Sequence, residues 1–199
     1  AAEVAARVAS QLTPGPVVSA RIEYRGEIAN YDIAPLRAAV IMGMLGRVSD
    51  EKITIVNADR FVEQHGIRLD EETGPAIEPY ANLVVVVVTS TDDSTRVAAT
   101  HTPQGVRVVG IDEYDEVDVA PSAAPYALAI ENLDRPGMIG RVGTMLGGWD
   151  VNVIYMSVAA STRDRALMML GTHRALTSDE LEALTRIENI DSVRLITLG

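Results

Sequence analysis

The chain has no cysteine among its 199 residues. That absence excludes a disulfide framework, thiolate metal ligands and a thiol nucleophile, and it suits a cytoplasmic protein. It has no apolar run long enough to cross a bilayer, the longest being Leu83 to Val88, and no basic segment followed by a cleavable apolar one. A soluble, unsecreted protein with no membrane partner is expected. Basic residues are scarce, 17 against 28 acidic ones, for a formal net charge of -11. Such a balance repels phosphate backbones and anionic lipid, so no nucleic acid is expected either. Histidine is scarce too: His65, His101 and His173 fall in separate elements and give no convergent metal set. Patterns of the HExxH, GxSxG and GxxxxGK[ST] kind are missing, so zincin, serine-hydrolase and P-loop chemistry have no support. An initiating methionine is missing as well, and Ala1 runs straight into AEVAARVASQL, as a segment of a longer protein would.

What is present is a 47% hydrophobic composition, enough for one large or two small folded domains. The acidic runs DEE (Asp70 to Glu72) and DEYDEVD (Asp112 to Asp118) lack the alternating ligands, central glycine and closing Glu of a calcium loop, and read as a solvated, loop-rich face. Val4, Val8 and Leu12 share one face of an opening helix. TPGP then turns the chain into VVSARIEY, which alternates like a half-buried strand. Leu36, Val40, Met44 and Val48 recur at helical spacing. ITIVN reads as a short strand, and ADRFVEQHG as a helix that Gly66 ends.

From Asn82 the pattern becomes β-rich: NLVVVVVTS, TRVAATHT and GVRVVGID form a three-stranded meander. VDVAPSAAP, with two prolines, reads as an interdomain connection. This places one domain at 1–120, a linker at 121–125 and a second domain at 126–199. The second domain reads strand (YALAIEN), helix (Gly137 to Trp149), strand (VNVIYMSVAA), strand (RALMMLGT), helix (SDELEALTRI), strand (SVRLITL). Ile139, Val142, Leu146 and Trp149 share the first helix's apolar face, and Ser178 with Glu180 and Glu182 caps the second. Two helices on one face of a four-stranded antiparallel sheet give a ferredoxin-like α+β architecture.

The turn NLDRPG carries the sharpest local chemistry. Pro136 suits a first helical turn and Gly137 a close backbone approach. The free N–H groups and positive dipole end of the following helix suit a small carboxylate. Asp134 and the amides of Asn132 and Asn152 are able to hold an ammonium or hydroxyl group. On residue chemistry alone, a plain helix cap at Asp134 is the favoured reading. Gly140, Gly143, Gly147 and Gly148 are wrongly spaced for a dinucleotide fingerprint; close helix packing for the first pair and helix termination for the second explain them better. The five methionines from Met138 to Met169 read as core filler rather than as a binding groove.

At these residues the chain resembles the ACT regulatory domain, in the N-x-D-x-P-G turn, the helix GMIGRVGTMLGGWDV and the asparagine of VNVIYMS. With VVSARIEYRGEIANYDIAPLRAAVIMGMLG and IVNADRFVEQHGI, the whole chain resembles the C-terminal half of long-type D-3-phosphoglycerate dehydrogenases. The resemblance implies an α/β intervening, allosteric-substrate-binding domain followed by a ferredoxin-like βαββαβ ACT domain. It implies a regulatory and oligomerisation segment, active as a homodimer or homotetramer and joined to N-terminal catalytic domains. L-serine would be the effector, held by Asn132, Asp134 and Asn152 between paired ACT domains, with Pro136, Gly137, Met138 and Ile139 forming the turn and helix start at the site. The parent enzyme would oxidise 3-phospho-D-glycerate to 3-phosphooxypyruvate with NAD. This segment would carry no catalytic residue, metal or cofactor. An anion site known in some intervening domains is not carried over, because the stretch after Arg107 is acidic. The β chain of iron-sulfur L-serine dehydratases and a purely structural dimerisation module are the other readings.

Overall fold

A computed structural model describes residues 1–46, 53–161 and 163–198; Val48, expected on a helix face, lies outside them. The chain divides into two compact units, 1–112 and 113–199. In the first, α1 (Ala2–Leu12) is followed by β1 (Val17–Gly26), a short 3-10 turn (Glu27–Asn30), α2 (Ala34–Leu45), α3 (Ala58–Gln64) and β2 (Arg68–Gly74). The meander β3 (Asn82–Ser90), β4 (Ser94–Thr102) and β5 (Gly105–Ile111) completes it. Within this unit the strands lie in the order β2-β1-β3-β4-β5, with β2 parallel to β1 and the other neighbours antiparallel.

The α1 face is wider than the valine pattern suggested. Ala2, Ala5, Ala6, Val8, Ala9 and Leu12 are buried, whereas Val4 is only half-buried. Small side chains allow α1 to meet α2 closely: a Cβ at Gly43 would lie 2.1 Å from the Glu3 carbonyl oxygen. The apolar run of β3 is buried on both faces, Val84, Val86 and Val88 alternating with Leu83 and Val85, which is why it reads as continuous rather than alternating. Tyr24 of β1 is fully buried and its hydroxyl donates to Glu71 Oε1 at 2.8 Å. Burial, then that hydrogen bond, drives its phenol far above the ordinary range.

ITIVN is not a strand. Thr54 N–H donates to Asn57 Oδ1 at 2.6 Å, the Thr54 carbonyl accepts from Asn57 and Ala58, and Ile55 and Val56 are exposed on the resulting turn into α3. An Asx side chain folding back on the backbone outcompetes the apolar run. Gly66 does end α3, at a φ of 65°, with Ile67 N–H reaching the Val62 carbonyl and Gly66 N–H that of Glu63. The acidic runs are solvated but not loops. DEE lies in β2, and DEYDEVD enters the strand β6 (Tyr114–Val119). Glu116, at a φ of 65°, inserts one residue into that strand's alternation, leaving Tyr114, Val117 and Val119 buried.

The second unit adds β7 (Tyr126–Leu133), α4 (Met138–Gly148), β8 (Val153–Ala160), β9 (Arg165–Thr172), α5 (Ser178–Thr185) and β10 (Ile190–Thr197) to β6. The strand order is β10-β7-β9-β8, antiparallel throughout, which is the ferredoxin-like arrangement. Leu128, Ile130, Met168 and Leu170 form the sheet side of a core closed by Met138, Val142 and Leu146 of α4 and Leu184 of α5. β6 packs on the other face, where Tyr114 donates to Glu131 and Ser157 Oγ accepts from Asp118 N–H. The stretch expected as a linker therefore holds the end of a strand, a turn at 121–123 and a buried Ala124.

Three details of this unit depart from the sequence pattern. On α4 it is Met138, not Ile139, that joins Val142 and Leu146; Ile139 is 49% exposed. The left-handed residue that ends α4 is Asp150 at a φ of 58°, not a glycine, with Val151 N–H bonded to Leu146 and Asp150 N–H to Gly147. Thr177, not Ser178, caps α5 in a reciprocal capping box with Glu180.

Two outcomes follow from this packing. Gly43→Ala, ordinarily stabilising in a helix interior, is expected to cost about 1–3 kcal/mol because the methyl meets backbone rather than space, read as a lowered urea midpoint at unchanged slope. The hydrogen bond from Arg174, then that from the Thr177 backbone, holds the Glu180 carboxyl at about 2. Its stabilisation is therefore complete above the ordinary value near 4.5 and is lost as pH falls toward about 2. Glu180→Gln should flatten the acid side of a melting-temperature profile across that window; an unchanged profile contradicts the pairing.

Candidate effector site

β7 delivers the turn with fixed geometry. Its core-facing positions are Leu128, Ile130 and then Asn132, so an amide occupies the place where another aliphatic side chain would continue the core. Asn132 is 2% exposed; its Nδ2 donates to the Leu133 carbonyl at 2.7 Å, and its Oδ1 is buried without a partner among the described residues. Leu133 N–H is anchored on Asn189 and Asp134 N–H on Asp164. The chain then turns through Arg135, Pro136 and Gly137, with Met138 N–H on the Arg135 carbonyl at 3.4 Å and Gly137 at φ 90°, ψ -6°. Proline followed by a left-handed glycine is a type II turn.

This corrects three expectations. Pro136 precedes the helix instead of opening it. Gly137 is required for its positive φ, since a Cβ there would meet nothing within 4 Å. Asp134 is exposed, and no side chain caps α4. The helix N-terminus therefore keeps its positive end unsatisfied by protein carboxylate.

A cavity of about 430 Å³ opens at this point. Asn132, Asp134, Arg135, Pro136, Gly137, Met138 and Ile139 line it on one side, Val158, Ala166 and Met168 on the other. It thus presents an orphan carbonyl oxygen, one carboxylate, one guanidinium and an uncapped helix end around an apolar floor. Arg135 lies inside the motif, but the β-strand wall was not readable locally, because it depends on the register that sets Ala166 opposite Asn132.

Asn152 is not in this cavity. It precedes Val153, which pairs with Thr172 at one end of the sheet, while Asn132 and Ala160 both pair with Ala166 at the other. The length of chain from Asn152 to Ala160 is about 25 Å at ~3.3 Å per residue. One chain thus brings Asn132, Asp134 and residues 136–139 together, and leaves Asn152 apart.

Other candidates carry less. Gly140 and Gly143 face open space, so close packing within the chain is not their reason, and Gly147 and Gly148 sit within α4. All four follow the turn instead of forming it, and do not fit a dinucleotide. His65 bonds the Phe61 carbonyl through Nδ1 and stacks on its ring. Among the described residues no cluster of three or more metal-ligating side chains occurs, and no helix is long and apolar enough to cross a membrane. Met138, Met168 and Met169 are core filler, whereas Met156 is 46% exposed.

Comparison with known proteins gives the family. Residues 2–112 match the description "D-3-phosphoglycerate dehydrogenase intervening domain". D-3-phosphoglycerate dehydrogenase of Bacillus subtilis is 32% identical over 191 residues, covering 95% of this chain and 36% of the relative. That of Synechocystis is 27% identical over 200 residues, covering 99% and 36%. The chain thus spans about a third of the length of these relatives. Among solved structures, the ACT domain of GTP pyrophosphokinase from Chlorobium tepidum aligns with 36% of this chain and 95% of its own length, at 13% identity and a TM-score of 0.30. The ferredoxin-like assignment of residues 113–199 rests on their own strand order. With the intervening-domain match covering more than half its length, and full-length relatives aligning through the remainder, the chain belongs to the D-3-phosphoglycerate dehydrogenase family, in the part that carries its intervening domain.

Proposed function

We propose that this chain is the regulatory and oligomerisation segment of a D-3-phosphoglycerate dehydrogenase and that its second unit senses L-serine. The observation that carries the reading is the unpartnered Oδ1 of Asn132 in the wall of a cavity at the uncapped start of α4. A buried acceptor without a donor costs about 1–3 kcal/mol, which a ligand hydroxyl or ammonium would recover. Around it, Asp134 suits an ammonium, while Arg135 and the α4 amides suit a carboxylate. A small zwitterionic amino acid with a hydroxyl matches every group.

The distance to Asn152 is explained by a second copy. β8 is the edge of its sheet, and Ile154, Met156 and Val158 on it are 43–46% exposed. Ile139 and the open glycines of α4 extend that surface. Antiparallel apposition of two β8 edges about a twofold axis brings Asn152 of one copy to the Ala160 end of the other, beside that copy's Asn132 and Asp134. The effector then sits between paired units, and it regulates only through unequal affinity for two arrangements of the pair.

In the parent enzyme the N-terminal catalytic domains would bind NAD and oxidise 3-phospho-D-glycerate to 3-phosphooxypyruvate in the cytoplasm, as the first step toward L-serine. Serine binding here would be feedback.

Calorimetric titration tests this. L-serine is expected to bind, and Asn132→Ala or Asp134→Ala to weaken it about ten- to hundredfold. A mixture of Asp134→Ala and Asn152→Ala chains, allowed to exchange subunits, should regain about a quarter of the starting sites, since each mixed dimer keeps one intact site of two. No heat and no thermal shift with the starting protein would reject serine sensing; no recovery in the mixture would reject the shared site.

A further inference from the structure

The loop that carries Asn152 follows directly on the glycine-rich end of α4. α4 runs out through Gly147 and Gly148 into Trp149 and the left-handed Asp150, and Asn152 itself is exposed. Two consecutive residues at the end of β9 hold it. Arg174 Nη2 donates to the Trp149 carbonyl at 3.0 Å, and its two nitrogens grip Glu180 at 2.7 and 2.9 Å. That ties the last turn of α4 to the capping box of α5. His173 takes both backbone groups of Asn152: its own N–H donates to the Asn152 carbonyl at 3.3 Å, and its Nδ1 accepts the Asn152 N–H at 3.1 Å.

The second of these bonds is unusual in kind. In an antiparallel ladder, the N–H of Asn152 would find the backbone carbonyl of the residue opposite. Here the chain leaves β9 at that residue, and the imidazole stands in for the missing carbonyl. Acceptance at Nδ1 requires the ring proton on Nε2. The Asn152 carboxamide makes no hydrogen bond among the described residues, so it stays available at the start of β8.

We infer that His173 is a positioning residue for the effector, its Nδ1 fixing the Asn152 backbone so that the carboxamide is presented to the ligand. The inference rests on the serine-sensing reading given above.

Asparagine at position 173 places Oδ1 where the imidazole holds Nδ1, while leucine keeps bulk and removes the acceptor. L-serine titrations of the full chain are therefore expected to show His173→Leu weakened about five- to tenfold and His173→Asn within about twofold of the starting protein. Hydrogen exchange at the Asn152 amide should be fast in His173→Leu and protected in the other two, and the ring nitrogen shifts should report the Nε2–H tautomer. Equal affinity in all three proteins, or equal loss in both variants, overturns the acceptor role. If the starting protein binds no L-serine, the sensing reading fails and the effector role of His173 falls with it. A protected Asn152 amide would then mark the bond as structural only.

Discussion

Everything at the candidate site depends on the pairing of β7 with β9. That register sets Leu128 opposite Leu170, Ile130 opposite Met168 and Asn132 opposite Ala166, so that one alternating stripe faces α4 and α5. A slip of one residue would send the whole stripe to the other face, exchanging aliphatic side chains for Glu131 and Ala129 beneath the helices. Since Leu128, Ile130, Met168 and Leu170 are nearly inaccessible to solvent, that slip is prohibitive at about 1.5–3 kcal/mol per large apolar side chain. The energy of an apolar core therefore holds a polar amide where it would not otherwise remain. Asn132 is buried by its neighbours' chemistry, not by its own.

The same logic explains which parts of the structure were legible in the sequence. Periodicity found the meander, the order of elements in the second unit and the helix stop at Gly66, because each is decided within a few residues. It misjudged ITIVN, where Asn57 closes a turn that apolar composition does not reveal. It assigned helix termination to glycine where Asp150 adopts the left-handed conformation, an option open to Asp but not expected beside two glycines. The acidic runs read as loops because their charges dominate; β2 and β6 nevertheless pair through their backbones and carry most of the acidic residues on exposed positions. In DEYDEVD the buried residues are Tyr114 and Val117, out of step by the inserted Glu116.

At the site, the turn residues were legible and the cavity was not. Asn132, Asp134 and Gly137 lie within six residues of one another, whereas Val158, Ala166 and Met168 arrive through strand pairing. The sequence also grouped Asn152 with the turn, by its amide chemistry and by family resemblance, a grouping that a single chain does not make. His173 had no sequence signal at all; an isolated histidine acquires a role only when β9 ends opposite Asn152.

The composition of α4 bears on the second copy. Four of its eleven residues are glycine, and each costs roughly 0.5–1 kcal/mol relative to alanine in a helix interior. Gly43, in α2, has its reason inside the chain, in the Glu3 backbone against it. Among the described residues Gly140 and Gly143 have no such neighbour, because nothing beyond their own helix comes within 4 Å of where their Cβ would be. A helix that meets its own sheet through Met138, Val142 and Leu146, with Met145 and Trp149 packed beside them, thus gives up propensity along its outer side. In the pairing proposed above that side lies near the apposed β8 edges. There, bare backbone allows a neighbouring helix to approach more closely than any side chain would permit. Association would then offset the helix propensity that α4 gives up, and because α4 begins at the candidate cavity, the same contact would link subunit pairing to the ligand binding proposed there.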